Sequence, residues 1–278
     1  MPKVVMPKTC ELGGRGVLIT RPAAQADELC RLVEAARGRA IRFPALAIEP
    51  VPDPAQARGL LARRWDLILF ASRNAVTHAL PLLPGARLPA EPRLGAIGAA
   101  TAKALTETGR MPDLVPAGRF DSESLLALPE LENLAGRQVL IVHGTGGREL
   151  LGNTLIERGA RVAYADVYRR VLPDADPAPL LARWQQEIHL ATATSGEVLE
   201  NLLALVGEEG RGRLLETPLV VVSARTVASA RERGFARVEL AENASDPALV
   251  AAMCRMIATG DVGSPEECHG SQRGEEGR

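Results

Sequence analysis

The sequence predicts an α/β protein made of two doubly wound parallel sheets, and three observations lead there. Short apolar runs of strand type alternate along most of the chain with stretches whose Leu, Val and Ala recur at helical spacing. The junctions between them carry Ser, Thr, Asn or Gly, residues that open helices. The 278 residues contain more of these units than one small sheet would hold.

The first 14 residues lack this rhythm and are expected to form a mobile leader. Gly16-Val17-Leu18-Ile19 is the first strand, turning at Thr20-Arg21-Pro22 into a helix with Ala26, Leu29, Leu32, Val33 and Ala36 on one side. The segment from Ala40 to Pro50 is extended, but Pro44 and Pro50 make it an edge strand or connector. Asp66 to Phe70 is a strand that turns at Ser72-Arg73-Asn74 into a helix through Val76 and Leu80. Arg93 to Ile97 turns at Gly98 to Thr101 into a helix ending near Gly109. Asp113-Leu114-Val115 is expected as another short strand, and Asp121 as the cap of a helix with Leu125, Leu126 and Leu128.

The stretch from Gly136 to Arg170 shows the pattern most clearly. Val139 to Val142 forms a strand, His143-Gly144-Thr145-Gly146-Gly147 a loop, and Leu150, Leu151, Leu155 and Ile156 one side of a helix. A second strand follows, on which Val162, Tyr164, Asp166 and Tyr168 share a face when counted by twos. Pro173 to Pro179 is a break, after which three further strands end at Thr192, Val222 and Leu240. They turn into helices at Thr194-Ser195-Gly196, Ser223 to Thr226 and Asn243 to Asp246. Residues 260–278 are rich in Gly, Glu and Ser and are expected to be disordered.

Composition narrows the function. With 46% apolar residues, 24% charged and a net charge of -1, nothing in the balance favours a nucleic acid or a membrane surface. Cys10, Cys30, Cys254 and Cys268 form no C-x-x-C pair, which argues against a disulfide framework or a zinc site. The four histidines have no ligand spacing either, so no metal is expected. No apolar run spans a bilayer, and the expected location is the cytoplasm.

In doubly wound sheets, loops leaving the carboxyl ends of the strands gather on one edge, where ligands bind. Here those loops pair a hydroxyl or glycine with a helix start, which suits an anion. The same residues are good helix caps, so one loop alone proves nothing. Gly144-Thr145-Gly146 with Asp166 mimics a dinucleotide fingerprint, but position 149 is Glu where the third Gly belongs. A phosphate-binding P-loop and a G-x-S-x-G elbow are absent from the sequence.

Taken in order, these segments resemble the uroporphyrinogen-III synthase family. The resemblance rests on Leu18-Ile19-Thr20-Arg21-Pro22, Phe43-Pro44 with Ile48 and Pro50, and Asp66 to Phe70 running into Ser72 to Val76. It continues through Gly98-Ala99 with Thr101-Ala102, then Gly136 to Arg148 with Leu155, Gly159 and Val167-Tyr168. It closes with Thr194-Ser195-Gly196, Val198, Ser223, Arg225-Thr226 and Gly234. Ala71 and Val227 depart from the residues common in the family, without removing a group assigned to chemistry.

The resemblance implies two flavodoxin-like domains joined by a two-strand antiparallel ladder. One domain would combine residues 15–40 with 172–259, and the other would be residues 41–171. The ladder would set Tyr168 beside the cleft between them. The implied reaction closes hydroxymethylbilane, a linear tetrapyrrole with eight carboxylates, into a ring with its last pyrrole inverted, through a spiro intermediate. Tyr168 is the implied general acid. Ser72, Arg73, Gly98, Thr101, Gly144, Arg148, Thr194, Ser195, Ser223 and Thr226 are substrate-binding candidates, with Arg21 and Arg225 behind them. No cofactor is implied. The family expectation is a monomer, with transient contact with hydroxymethylbilane synthase as a further expectation. Two other readings fit the same loops: a two-lobed anion-binding module without catalysis, and a dinucleotide-binding enzyme.

Overall fold

A computed structural model describes residues 10–116, 122–146 and 150–260. The chain divides into two compact units, Ile48–Val171 and the flanks up to Ala47 and from Leu172 onward. The expected boundary after residue 40 falls later because β2 (Arg39–Arg42) pairs with β1 (Gly16–Ile19) and stays in the flanking unit. Between them α1 (Asp27–Ala35) buries Leu29, Cys30 and Val33.

The inserted unit begins within β3 (Ala47–Pro50) and continues with α2 (Ala55–Leu61), β4 (Leu67–Phe70) and α3 (Arg73–Ala79). It continues with β5 (Arg93–Ala96), α4 (Ala99–Glu107), α5 (Ser122–Leu126), β6 (Gln138–Gly144), α6 (Leu150–Glu157) and β7 (Arg161–Val171). The strands lie in the order β3-β7-β6-β4-β5, and the pairs from β7 to β5 are parallel. Both faces are covered. Ile68, Phe70, Leu140 and Val142 enter one core layer, and Leu67, Leu69, Val139 and Ile141 the other. That is why these strands read as unbroken apolar runs rather than alternations.

The chain returns to the flanking unit through α7 (Ala178–Ala182), α8 (Trp184–Glu187), β8 (Leu190–Ala193) and α9 (Gly196–Glu216), which is interrupted at Gly207. Then come β9 (Leu219–Val221), α10 (Ala224–Glu232), β10 (Val238–Leu240) and α11 (Asp246–Ala258). The sheet order is β10-β9-β8-β1-β2, all parallel. In each sheet the strand order reverses at one point, between β1 and β8 here and between β4 and β6 in the inserted unit. Such switch points open a crevice at the carboxyl ends of the strands.

Pro44 and Pro50 keep their predicted meaning: Pro44 lies in the connector between β2 and β3, and Pro50 ends β3, an edge strand of its sheet. Three expectations are corrected. Residues 10–14 are built in: Leu12 is fully buried, and the amides of Leu12 and Gly14 donate to Ala36 and Arg37, each at 2.7 Å. Cys10 is disulfide-bonded to Cys254 of α11, a pairing that packing creates and sequence spacing cannot show. The strand expected at 113–115 is a single bridge from Leu114 to Gly95, with the Asp113 carboxylate accepting the Leu94 amide at 2.7 Å. Most of the leader, the Asp121 cap and nearly all of the tail at 260–278 lie outside the described residues.

Candidate active site

At the switch point of the inserted unit, the ends of β4 and β6 meet sequence-predicted Tyr168 on the neighbouring β7. Ser72 follows β4 and caps α3, its Oγ accepting the Ala75 amide at 3.1 Å. The same Oγ lies 3.1 Å from the hydroxyl of Tyr168 on β7. Gly144 ends β6, and a Cβ there would sit 2.5 Å from the Tyr168 ring. The His78 ring, from the last turn of α3, lies 5.7 Å from the Tyr168 ring at a 33° tilt.

Counting by twos misplaces Tyr168. His143 pairs with Asp166 but Gly144 pairs with Tyr168, so β7 carries an extra residue at this point. This bulge turns Tyr168 over. Tyr164 and Val162 pack in the layer with Val139, whereas Tyr168 packs with Phe70, Leu140 and Val142 in the opposite one. Tyr168 is 4% exposed, so its ring is a core side chain with its hydroxyl tied to Ser72.

The other candidates in this unit are less collected. Arg73 opens α3 and is exposed, and Gly98 caps α4 with extended backbone. Thr101 is buried in the first turn of α4. Arg148 lies outside the described residues. His143 and Asp166 form a contact that sequence reasoning missed, with Nε2 3.4 Å from the carboxylate and the ring edge-on to Tyr164. Burial pushes the His143 imidazole below its ordinary value, with Asp166 pulling the other way, and burial lowers His78 as well. With Asp166 facing His143 and Tyr168 filling the space over Gly144, the resemblance to a dinucleotide fingerprint has another explanation.

In the flanking unit, β1 and β8 are locked at their switch point by reciprocal threonine bonds. Thr20 Oγ1 donates to the Thr192 carbonyl at 2.6 Å, and Thr192 Oγ1 to that of Leu18 at 3.0 Å. Thr194 is half-buried beside Ser195, whose Oγ caps α9 by accepting the Val198 amide at 3.1 Å. Ser223 caps α10 in the same way and shares a 2.8 Å hydrogen bond with the buried Thr226. Arg225 is exposed. Arg21 donates to Asp246, the first residue of α11, and to the Ala244 carbonyl at 2.9 Å. Burial raises the Asp246 carboxyl above its ordinary value, with Arg21 opposing it. Among the described residues no cluster of His, Cys, Asp or Glu could hold a metal ion, and no helix is long and apolar enough to cross a membrane.

The sequence and fold have close counterparts. The family model of uroporphyrinogen-III synthase HemD matches residues 27–251. The chain is 37% identical to the uroporphyrinogen-III synthase of Escherichia coli strain K12 over 243 residues, 85% of this chain and 99% of that one. The Salmonella typhimurium enzyme is 38% identical over 244 residues, with the same coverage. A crystal structure of a mutant uroporphyrinogen III synthase from the extreme thermophile Thermus thermophilus aligns with a TM-score of 0.56 at 25% identity, covering 87% of this chain and 98% of that one. Helicobacter pylori uroporphyrinogen-III synthetase, 17% identical, shares the fold at the same TM-score over 88% of this chain and 99% of its own. A match that takes in both the flanking strands and the inserted unit leaves one conclusion: the chain belongs to the uroporphyrinogen-III synthase (HemD) family.

Proposed function

We propose that the chain is a uroporphyrinogen-III synthase, closing hydroxymethylbilane into uroporphyrinogen III with inversion of ring D in tetrapyrrole biosynthesis. The observation that carries the site assignment is the meeting of Tyr168 with Ser72 over Gly144, at the switch point of a doubly wound sheet. The substrate needs little activation. Departure of its terminal hydroxyl leaves an azafulvene that a pyrrole attacks without help, so the protein's main task is to hold both ends where attack falls on the substituted carbon. Tyr168 acts as the general acid: its proton goes to the leaving hydroxyl, the carbon–oxygen bond breaks and water departs. The spiro intermediate then opens and recloses with ring D turned over. The proton released when the last pyrrole regains its aromaticity returns to the phenolate. Nothing is oxidised or reduced, and no cofactor is assigned to the cycle.

Eight carboxylates call for cations and amide donors. Exposed Arg73 and Arg225, Arg148, and the hydroxyl-tipped loops at Thr194, Ser195, Ser223 and Thr226 suit them, together with Gly98, Thr101 and Gly144. Arg21 is the weakest member of this set, because its guanidinium is already held by Asp246 and the Ala244 carbonyl. The strand orders support describing both units as flavodoxin-like, and the adjacency of β3 and β7 supports an antiparallel ladder linking them. A cytoplasmic monomer that meets hydroxymethylbilane synthase in passing completes the reading. The test is to add purified protein to fresh hydroxymethylbilane and identify the product: isomer III is expected, and isomer I at the rate seen in buffer would refute the assignment.

A further inference from the structure

We infer that Ser72 is a positioning residue for the reaction, donating its hydroxyl proton to the phenolic oxygen of Tyr168 so that the phenol's own proton points away toward the leaving group. The inference rests on the assignment of Tyr168 as the acid and goes one step further. Either hydroxyl of the pair could be the donor. The contacts of Ser72 favour one direction. Ser72 Oγ already accepts the Ala75 amide, which fixes the serine rotamer and occupies one lone pair. Its proton then has the Tyr168 oxygen as a ready acceptor at 3.1 Å. The reverse orientation would commit the phenol proton to Ser72 and withhold it from a leaving group.

The ring cannot swing to make another bond. It is walled by β6, where the missing Cβ of Gly144 leaves its space, and by the His78 ring on α3. Ser72 caps the short helix that carries His78, so a single element sets both the tilt of the ring and the bonding of its oxygen. When Tyr168 gives up its proton, the Ser72 hydroxyl is already aimed at the negative charge that develops. It requires no reorganisation at the moment of reaction. Ser72 neither gains nor loses a proton in the cycle. This moves Ser72 from a substrate ligand to a residue that acts through Tyr168.

The test uses Ser72→Gly and Ser72→Thr in the full chain. Glycine is well tolerated at a helix cap, so the first variant removes the hydroxyl and keeps the helix. The expected result is a kcat lowered by about tenfold or more, the range of one hydrogen bond formed in the transition state, with KM unchanged. Threonine is expected to restore most of the loss. A spectroscopic readout checks the direction of the bond. The chain has 2 tyrosines, so in a Tyr164→Phe background the Raman Fermi doublet reports Tyr168 alone. Its intensity ratio should indicate an accepting phenol oxygen and should change toward that of a donor when Ser72 becomes Gly. A doublet of donor type with Ser72 present would overturn the inference. So would a Ser72→Gly variant that raises KM alone, or one that keeps full kcat while Tyr168→Phe loses it. If Tyr168→Phe itself kept full turnover, the acid assignment would fall and the positioning role with it.

Discussion

Gly144 and Tyr168 share one volume: the Cβ that Gly144 lacks would lie 2.5 Å from two atoms of the tyrosine ring. Gly144 has no positive φ to explain its glycine, so close approach is the reason. Gly144→Ala is therefore expected to displace the ring or lift β7 from β6. The stability loss should be about 1–3 kcal/mol, the usual cost of overpacking, read as a lower urea midpoint. Turnover should fall further than that loss accounts for, because the Tyr168 hydroxyl leaves Ser72. An alanine variant with unchanged turnover would show that the ring position does not matter.

Arg21 and Asp246 each keep 15% of their side-chain surface exposed, and Arg21 holds the start of α11 against the loop after β1. Removing the cation strands a largely buried carboxylate. Arg21→Ala is expected to lower stability by about 2–3 kcal/mol, as for a hydrogen bond to a charged group. Thermal and urea unfolding check this. If stability were unchanged and only KM rose, Arg21 would be a substrate ligand after all.

Exposed cations should behave in the opposite way. Arg73 and Arg225 stand at helix starts, exposed, and no ion pair of theirs is among those seen in the described residues. Each changed to Ala is expected to raise KM several-fold, about 1 kcal/mol of lost carboxylate binding, with little change in unfolding midpoint. Raised salt should narrow the gap between variant and parent. A variant pair with wild-type KM would remove these arginines from the binding set.

His189 gives the fold a pH dependence. Its Nδ1 accepts the Gly16 amide at 3.1 Å at the start of β1, and its Nε2 is buried without a partner. Burial, the largest effect, holds the imidazole below its ordinary 6.5. Between 6.5 and that lower value the unfolded chain binds a proton that the folded one does not, so stability is present above the window and lost as pH falls through it. Unfolding midpoints should drop on acidification below 6.5, and His189→Asn, which keeps an acceptor near Nδ1 but cannot titrate, should flatten the slope. His78 and His143, both lowered by burial, would supply what remains. An identical slope in the variant would show that His189 contributes nothing.

Much of this was legible because burial on both faces leaves a direct mark. Leu67 to Phe70 and Val139 to Val142 are apolar at every position, and each feeds alternate residues to two core layers. Ser72, Ser195, Ser223 and Ser245 were visible as helix starts, and all four are side-chain caps. What stayed hidden depends on pairing between distant segments. The bulge that turns Tyr168 over is a mismatch between β6 and β7, and neither strand's own sequence records it. The same holds for Cys10 with Cys254 and for Arg21 with Asp246, which are joined by the packing of the chain's two ends. The short segment at 113–115 had strand-like residues, but it pairs at one position only.

One experiment bears on the whole account: the isomer of uroporphyrinogen formed from hydroxymethylbilane by the wild-type protein, Tyr164→Phe and Tyr168→Phe, run side by side. The first two are expected to give isomer III at similar rates. Tyr168→Phe should be slower by about a hundredfold or more, the usual contribution of a general acid, and drift toward isomer I as spontaneous closure overtakes it. Isomer I from the wild-type protein would contradict the assignment of function, and equal rates of isomer III from all three would contradict the role of Tyr168.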